Sequence, residues 1–449
     1  MVFGRTMNDL PTVSQYEVFK NRKDILKNPL PFHHRNFQKF GDAFRVKIGY
    51  GKSIVFTRDP ALIKHVLQKQ HRNYQKSPLQ TVQLAKYVGH GILTSNGDHW
   101  RTHRRMVQPA FHKKKLVGLL GIMQNAIRDA LKAIKSNAVN DVPPLMGDLA
   151  FQVVAKSLFS RTDIEGPMQR LQQITERNQK MLIREMRQPY LNWWFRLSGS
   201  IKRHMALSIE GRHILNTIIE DRLRSGLEGD DLLDMLLNAR YEDGTPMSRE
   251  QLLDEVLILF TAGHETTANA LSFTFCFLAK NKEVQSKAFE EVSKLDLEDG
   301  EIMENLSRLP YIKQCIEEAL RLYPPAYVID RIAVAEDNFD GRTIEKDTMI
   351  LMSIYELHRY QPFWHAPEDF VPERFDLENG KDFQDYYYPF GAGPRMCVGN
   401  NFAMYEMIMT VAEVLKRFHL QTDMEAVEIN PLISLKPRGV PIKFTERRG

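Results

Sequence analysis

Residues 252–279 are apolar along nearly their whole length. A helix that is hydrophobic on every side has no face to offer water, so the pattern predicts a buried central helix from Leu252 to Ala279 with other elements packed around it. Its uninterrupted apolar runs, such as Val256 to Phe260, fall well short of the ~20 residues that a bilayer span needs. The middle reads Thr261-Ala-Gly-His-Glu-Thr-Thr267. Ala262 and Gly263 remove side-chain bulk where something large must approach, and Glu265 and Thr266 add a carboxylate and a hydroxyl. A buried threonine also bonds back to the carbonyl four residues earlier and bends its own helix, so a purely structural groove would read the same way.

A chain of 449 residues can bury a large core, and its length alone suggests about two or three domains. With 43% hydrophobic and 26% charged residues it is neither disordered nor fibrous, and a formal net charge of +5 does not point to a nucleic-acid partner. Cys276, Cys315 and Cys397 are odd in number, far apart and without CxxC spacing, which argues against a disulfide framework or structural zinc. A reducing cytoplasm suits them. Met1 to Lys27 is polar, without the apolar core of a signal peptide or a membrane anchor. The expectation is a soluble, cytoplasmic protein.

Cys397 differs from the other two cysteines, which sit in apolar helical patterns. It lies in Pro389-Phe-Gly-Ala-Gly-Pro-Arg-Met-Cys-Val-Gly399, immediately before a helical pattern from about Asn400 to Phe418. Gly391, Gly393 and Gly399 permit turns that a side chain would block. Unpaired N–H groups and the helix dipole both favour the thiolate, the metal-binding form. Arg395 adds a positive charge suited to an anionic group of a cofactor.

The spacing Phe390, Gly393, Arg395, Cys397, Gly399, continued by Phe402, Ala403 and Glu406, resembles the haem-thiolate loop of the cytochrome P450 family. The resemblance implies Cys397 as the axial ligand of haem b, iron protoporphyrin IX, with Phe390, Gly391, Arg395 and Gly399 around it. Ala262, Gly263, Glu265 and Thr266 match the family's AGxET pattern. That match implies an oxygen-binding groove in which Thr266 and Glu265 guide protons to bound O₂.

Trp100 and Arg104 are four apart and share a helix face, where an indole N–H and a guanidinium suit a carboxylate. In the family this WxxxR pair grips a haem propionate, and Arg331 matches the position that binds the second. Glu318 and Arg321, three apart on a helix ending at Tyr323-Pro-Pro325, read in isolation as a helical ion pair worth ~0.3 kcal/mol. The resemblance makes them ExxR, completed by Arg374, a buried structural cluster needed for haem incorporation.

Elsewhere, Ala43–Ile48 and Ser53–Thr57 read as a hairpin across Gly49 to Lys52, followed by a helix from Pro60 to Leu67. Residues 76–96 read as a long irregular stretch, after which Asp98 is a plausible N-cap. Residues 114–240 read as predominantly helical. Met181, Met186, Tyr190, Trp193, Trp194 and Phe195 crowd around Pro189, either as core or as the family's mobile lid. Strand-like segments follow at Thr348–Ser353 and Ile433–Phe444. The implied fold is mainly α with a small β lobe, a single cytochrome P450 domain over 1–449. About 28–75 and parts of 326–449 form the β-rich lobe, while about 98–325 and 400–418 are mainly helical.

The reaction implied is monooxygenation of a small organic substrate with O₂ and two electrons, by hydroxylation or O-dealkylation, including O-demethylation of a methylated sugar. Electrons would come from a separate ferredoxin or flavodoxin and its NAD(P)H-dependent reductase, for which Arg101, Arg105 and Lys113–Lys115 offer a basic surface. Leu93, Val328, Ile329 and Ile433 suit a fatty acid or terpenoid-like substrate, whereas His90 and Arg184 suit a polar one. An oxygen-independent thiolate-haem isomerase or dehydratase and a haem sensor are the alternatives, and the complete proton-delivery set argues against both.

Overall fold

The computed structural model of the chain describes residues 5–49, 52–160, 164–226, 229, 231–297, 301–376 and 383–447. The helices that position the candidate site are, in chain order, α1 (Leu30–Phe40), α2 (Gly97–Val107), α3 (Lys113–Leu131), α4 (Val142–Phe159) and α5 (Glu165–Arg187). They continue with α6 (Asn192–Leu197), α7 (Ser200–Ser225), α8 (Arg249–Lys280), α9 (Pro310–Leu322) and α10 (Asn400–Arg417). The chain is mainly helical with a small β region, and it forms two compact units.

The first unit comprises Met1–Ser77, Gln314–Cys397 and Ala426–Arg438 and carries a six-stranded mixed sheet. Strands β1 (Ala43–Gly49) and β2 (Lys52–Thr57) form the expected antiparallel hairpin, with Val46 opposite Ile54; residues 50–51 of its turn lie outside the described residues. Beside them β4 (Met349–Ser353) runs parallel to β2 and antiparallel to β3 (Val328–Ala333), so that Ile350 faces Val55 on one side and Arg331 on the other. Both faces of β2 are covered, as its apolar run Ile54-Val-Phe56 requires. Phe44 and Phe56 stack at 5.4 Å within a cluster that includes Phe37 of α1, while Val55, Ile350 and Met352 pack against Leu62, Val66 and Leu67.

Asp59 caps the next helix, accepting from the N–H groups of Ala61 and Leu62, and Pro60 occupies its first turn. This helix is α-helical only to Lys64 and continues to Lys69 as a wider turn.

In the second unit α8 spans 32 residues, beginning where Ser248 accepts from the N–H of Gln251. Nearly every residue from Leu252 to Ala279 is buried, chiefly against α4, which is itself apolar around most of its circumference. Residues 76–96 are more regular than their sequence suggests, because helical turns occupy Leu79–Leu84 and Ala85–Val88 and only 89–96 is a loop. Helix α2 begins at Gly97 after Asn96, and Asp98 is not its cap; the Asp98 carboxylate instead accepts from Arg101 at 2.7 Å, one turn on. Among the described residues no helix is long and apolar enough to cross a membrane.

Candidate active site

Helix α8 opens at its middle. Ala262 and Thr266, one turn apart on a helix otherwise packed on nearly all sides, are exposed, with Gly263 and Glu265 half-buried beside them. The Thr266 hydroxyl donates to the Ala262 carbonyl at 3.0 Å and that of Thr267 to Gly263 at 3.1 Å, so two successive side chains bond back along the helix. Gly263 also meets a neighbouring helix. A Cβ there would stand 3.1 Å from Val154 of α4, so its missing side chain serves the close approach of two helices. The approachable surface belongs to Ala262 and Thr266. His264 is turned into the core, its Nδ1 paired with the Phe260 carbonyl at 2.9 Å, its ring packed against Phe151 and Phe260.

In the first unit the Cys397 loop is a run of tight turns. Gly391 and Gly393 adopt φ of +72° and +68°, and the Cys397 N–H donates to the Phe390 carbonyl at 2.9 Å, closing the loop on itself. The Cys397 residue is exposed, whereas Cys276 and Cys315 are buried. Burial pushes the Cys276 thiol up to about 11, as suits a core residue. A Cβ on Gly399, in the second unit, would stand 3.7 Å from the Phe111 ring, which meets Phe402 of α10 edge-on. Farther along α10, Glu406 is fully buried and neither carboxylate oxygen has a hydrogen-bond partner, so burial holds it protonated far above the usual carboxylate range.

Arg331 tests whether the site suits an anionic cofactor. It is buried on β3, burial disfavours its charge, and its hydrogen bond goes to the carbonyl of Asp330 at 2.7 Å. Among the described residues this buried guanidinium, with five donors, meets one backbone acceptor, an arrangement that fits a carboxylate such as a haem propionate. Trp100 and Arg104 lie half-buried on α2, and Arg104 Nε donates to Gln108 at 3.0 Å.

Glu318 and Arg321 of α9 are both wholly inaccessible to solvent. The guanidinium grips the carboxylate with two prongs, at 2.7 and 2.8 Å, and also donates to the carbonyls of His358, Pro367 and Asp369. Arg374 and the N–H of Val371 complete the carboxylate at 3.2 and 3.0 Å. With the carboxylate's lone pairs filled and Arg321 also donating to three carbonyls, the cluster ties α9 to residues 358–374, a link that three-residue spacing alone does not reveal. His358 extends it. Its Nε2 accepts from the Tyr388 N–H at 2.9 Å while Nδ1 faces the Arg321 carbonyl at 3.1 Å, which assigns the neutral tautomer protonated at Nδ1.

The residues read as substrate contacts divide. Leu93, Val328 and Ile329 are half-buried and Ile433 is exposed. His90 and Arg184 are exposed, and the Arg184 guanidinium lies 5.0 Å over the ring of Phe195. The aromatic crowd around Pro189 also divides, because Met181 and Phe195 are buried whereas Met186, Tyr190, Trp193 and Trp194 are exposed. Of the basic surface, Arg101 and Arg105 are paired with Asp98 and Glu242. A cleft of about 550 Å³ on the first unit, lined by His34, Asp42, Arg58, Glu356 and Tyr360, contains none of the motif residues.

One arrangement went unread in the sequence. Asp254 and Glu255, both buried on α8, hold residues 89–95 against that helix. Asp254 accepts from the His90 N–H at 2.8 Å and pairs with Arg212 of α7, while Glu255 accepts from the Ile92 N–H at 3.1 Å and from Gln251 at 2.9 Å. Added Cβ atoms on Gly89 and Gly91 would strike these carboxylates at 2.1 and 2.6 Å, so both glycines are required for the docking. Two adjacent acids in an apolar helix were the available signal, since buried carboxylates must find donors.

Comparisons with known proteins agree with this geometry. A family model described as Cytochrome P450 matches residues 13–444. Cytochrome P450 4A7 of Oryctolagus cuniculus is 32% identical over 83% of this chain and 76% of its own length. Cyclooctat-9-en-7-ol 5-monooxygenase of Streptomyces melanosporofaciens is 29% identical over 88% of this chain and 86% of its own. The 11-oxo-beta-amyrin 30-oxidase of Glycyrrhiza uralensis is 28% identical over 91% and 82%. A match that runs nearly from end to end, on a chain with an exposed cysteine in a glycine-turned loop and an approachable threonine on a buried helix, makes this chain a member of the cytochrome P450 family, a haem-thiolate monooxygenase.

Proposed function

We propose that this enzyme hydroxylates a hydrophobic carbon skeleton, terpenoid or fatty acyl, with Cys397 as the haem ligand and electrons from a separate ferredoxin or flavodoxin and its reductase. The observation that carries the reading is the split among candidate contacts. Leu93, Val328 and Ile329 are half-buried aliphatics, whereas the two residues that would favour a polar sugar, His90 and Arg184, are exposed, as is Ile433. The names of two relatives, a cyclooctatenol monooxygenase and a β-amyrin oxidase, support a terpenoid-like class.

When bound, haem supplies reductive activation of O₂ and transfer of one oxygen atom to a C–H bond. The rest falls to side chains. Cys397 would hold the iron through its thiolate and supply electron density to it; Arg331, Arg104 and Arg395 would offset the propionate charge, and the Trp100 indole N–H would donate a hydrogen bond there. The Thr266 hydroxyl, released from its bond to the Ala262 carbonyl, passes protons supplied through Glu265. Glu318, Arg321 and Arg374 hold the scaffold and take no part in turnover.

Titrating the ferric enzyme with fatty acids, terpenoids and O-methylated sugars, and following the haem absorption shift, tests the substrate class. Saturable shifts with the hydrophobic ligands alone are expected; a shift confined to methylated sugars would replace hydroxylation by O-demethylation. Cys397→Ser should remove the red-shifted band of the reduced carbonyl complex. Thr266→Ala should consume O₂ without matching product, and unchanged coupling would remove Thr266 from proton delivery.

A further inference from the structure

Residues 89–95 lie on α8 through their backbone, and the two carboxylates that receive them differ in their counter-charge. Asp254 has a cation, Arg212, whose guanidinium also stands 4.0 Å from Glu250. Glu255, the next residue, is wholly buried, and among the described residues it meets no lysine or arginine. Its Oε2 accepts from the Ile92 N–H at 3.1 Å and its Oε1 from Gln251 Nε2 at 2.9 Å. The same Oε1 faces Nδ1 of His103 across 3.7 Å. Gln251 also donates to the His90 carbonyl at 3.1 Å, so the segment is tied to Glu255 twice, once directly and once through Gln251.

His103 supplies the complement. It is 5% exposed on α2, and its Nδ1 has no hydrogen-bond partner. Burial, and then the His99 ring 4.4 Å away, lower its pKa to about 4 and keep the ring neutral. A neutral imidazole protonated at Nε2 offers Nδ1 as an acceptor. His99 itself pairs with Gln251 Oε1 at 3.1 Å, and Tyr241, edge-on to His103, has a phenol that burial keeps protonated. Burial also raises the Glu255 carboxyl to about 7, with a smaller push from Asp254. A proton on Glu255 Oε1 answers both faults at once. It gives His103 Nδ1 a donor after a shift of about 1 Å, it removes a second negative charge from beside Asp254, and it leaves Oε2 free to accept from Ile92.

We propose that Glu255 is a proton-dependent positioning residue: a proton held between its Oε1 and His103 Nδ1 keeps residues 89–95 on α8, and loss of that proton as pH rises through neutrality loosens the segment. When the segment leaves α8, water reaches Glu255 and its carboxyl returns to the ordinary range, so the closed form keeps a proton that the open form releases. The Asp254 contact, neutralised by Arg212, supplies the part of the hold that does not depend on this proton. Leu93 lies within the segment, so the latch sets the position of one candidate substrate contact. That consequence rests on Leu93 being such a contact, whereas the latch itself does not.

The test is hydrogen exchange, read by mass spectrometry, on full-length, haem-loaded enzyme at pH 6 and pH 8, with rates corrected for the intrinsic pH dependence of exchange. Protection of residues 89–95 should fall about tenfold from pH 6 to pH 8, the ratio that follows from a carboxyl at about 7 in the closed segment and 4.5 in the open one. The segment should exchange faster than α4 at both values, which makes the opening local. Glu255→Gln keeps an acceptor for Ile92 and an N–H for His103 but does not titrate, so its protection should be equal at the two pH values. His103→Phe keeps a ring and removes the acceptor, and should lose most of the protection gained at pH 6. Both variants should retain the wild-type reduced carbonyl spectrum, which separates a lost latch from lost folding. Equal corrected protection at pH 6 and pH 8 in the wild type, a tenfold fall that persists in either variant, or exchange of the segment no faster than that of α4 would each overturn the proposal.

Discussion

A Cβ on Gly393 would stand 2.0 Å from the carbonyl oxygen of Leu67, and Gly393 holds a φ of +68°. The loop that presents Cys397 thus lies against the backbone of the wider helical turn at His65–Lys69, and two constraints coincide at one residue. Gly393→Ala meets a left-handed conformation that costs an L side chain about 1–2 kcal/mol, and a collision with main chain that cannot rotate away. The expected outcome is a purified protein with a substoichiometric haem content, measured as the pyridine haemochrome. Full occupancy with an unchanged melting temperature would show that the contact is dispensable.

Glu318 accepts from two guanidinium groups at once, those of Arg321 and Arg374. Glu318→Gln retains the shape but leaves Arg321 buried without its counter-charge, and such a break costs on the order of 3–5 kcal/mol. Urea unfolding should show a lowered midpoint with an unchanged slope. A midpoint within error of the wild type would make the cluster no stronger than a surface ion pair.

His358 is wholly buried, and burial first, then the neighbouring Arg321 charge, lowers its pKa to about 3. The unfolded chain binds a proton near pH 6.5 that the folded chain refuses, so this contribution is complete above pH 6.5 and shrinks as pH falls towards 3, by about 1.4 kcal/mol per pH unit. His358→Gln should flatten the acid limb of the stability curve by about one proton. An acid limb parallel to that of the wild type would assign the acid sensitivity to other groups.

Glu255 has the opposite sign. Burial raises its carboxyl to about 7, against the donors Ile92 N–H and Gln251 that favour the ionised form. The folded state holds a proton that the unfolded state releases, so the contribution is complete below pH 4.5 and is lost as pH rises through 7. Relative to Glu255→Gln, the wild type should lose on the order of 2–4 kcal/mol between pH 4.5 and 8. Parallel thermal-stability curves for the two proteins across that interval would place the titration elsewhere.

Local chemistry was legible in the residues themselves. The apolar run 252–279 became a buried helix, Pro60 began another, and Gly391 and Gly393 took a positive φ that glycine adopts without strain, whereas Gly399 holds φ −91°. The turn at 79–88 was missed because its apolar spacing is sparse, and Asp98 was misplaced because an acid in a helix's first turn resembles a cap in composition.

The sequence by itself determined which residues carry the thiol, the hydroxyl and the guanidinium groups, since motif spacing is a property of one element at a time. Tertiary structure decided where each side chain turns. It made Gly263 a packing contact for Val154, sent His90 and Arg184 to the surface, exposed the indoles of α6, and joined Asp254 and Glu255 to a loop some 160 residues earlier. Those outcomes depend on burial and on the pairing of buried polar groups, which are set by elements distant in sequence that no local pattern encodes.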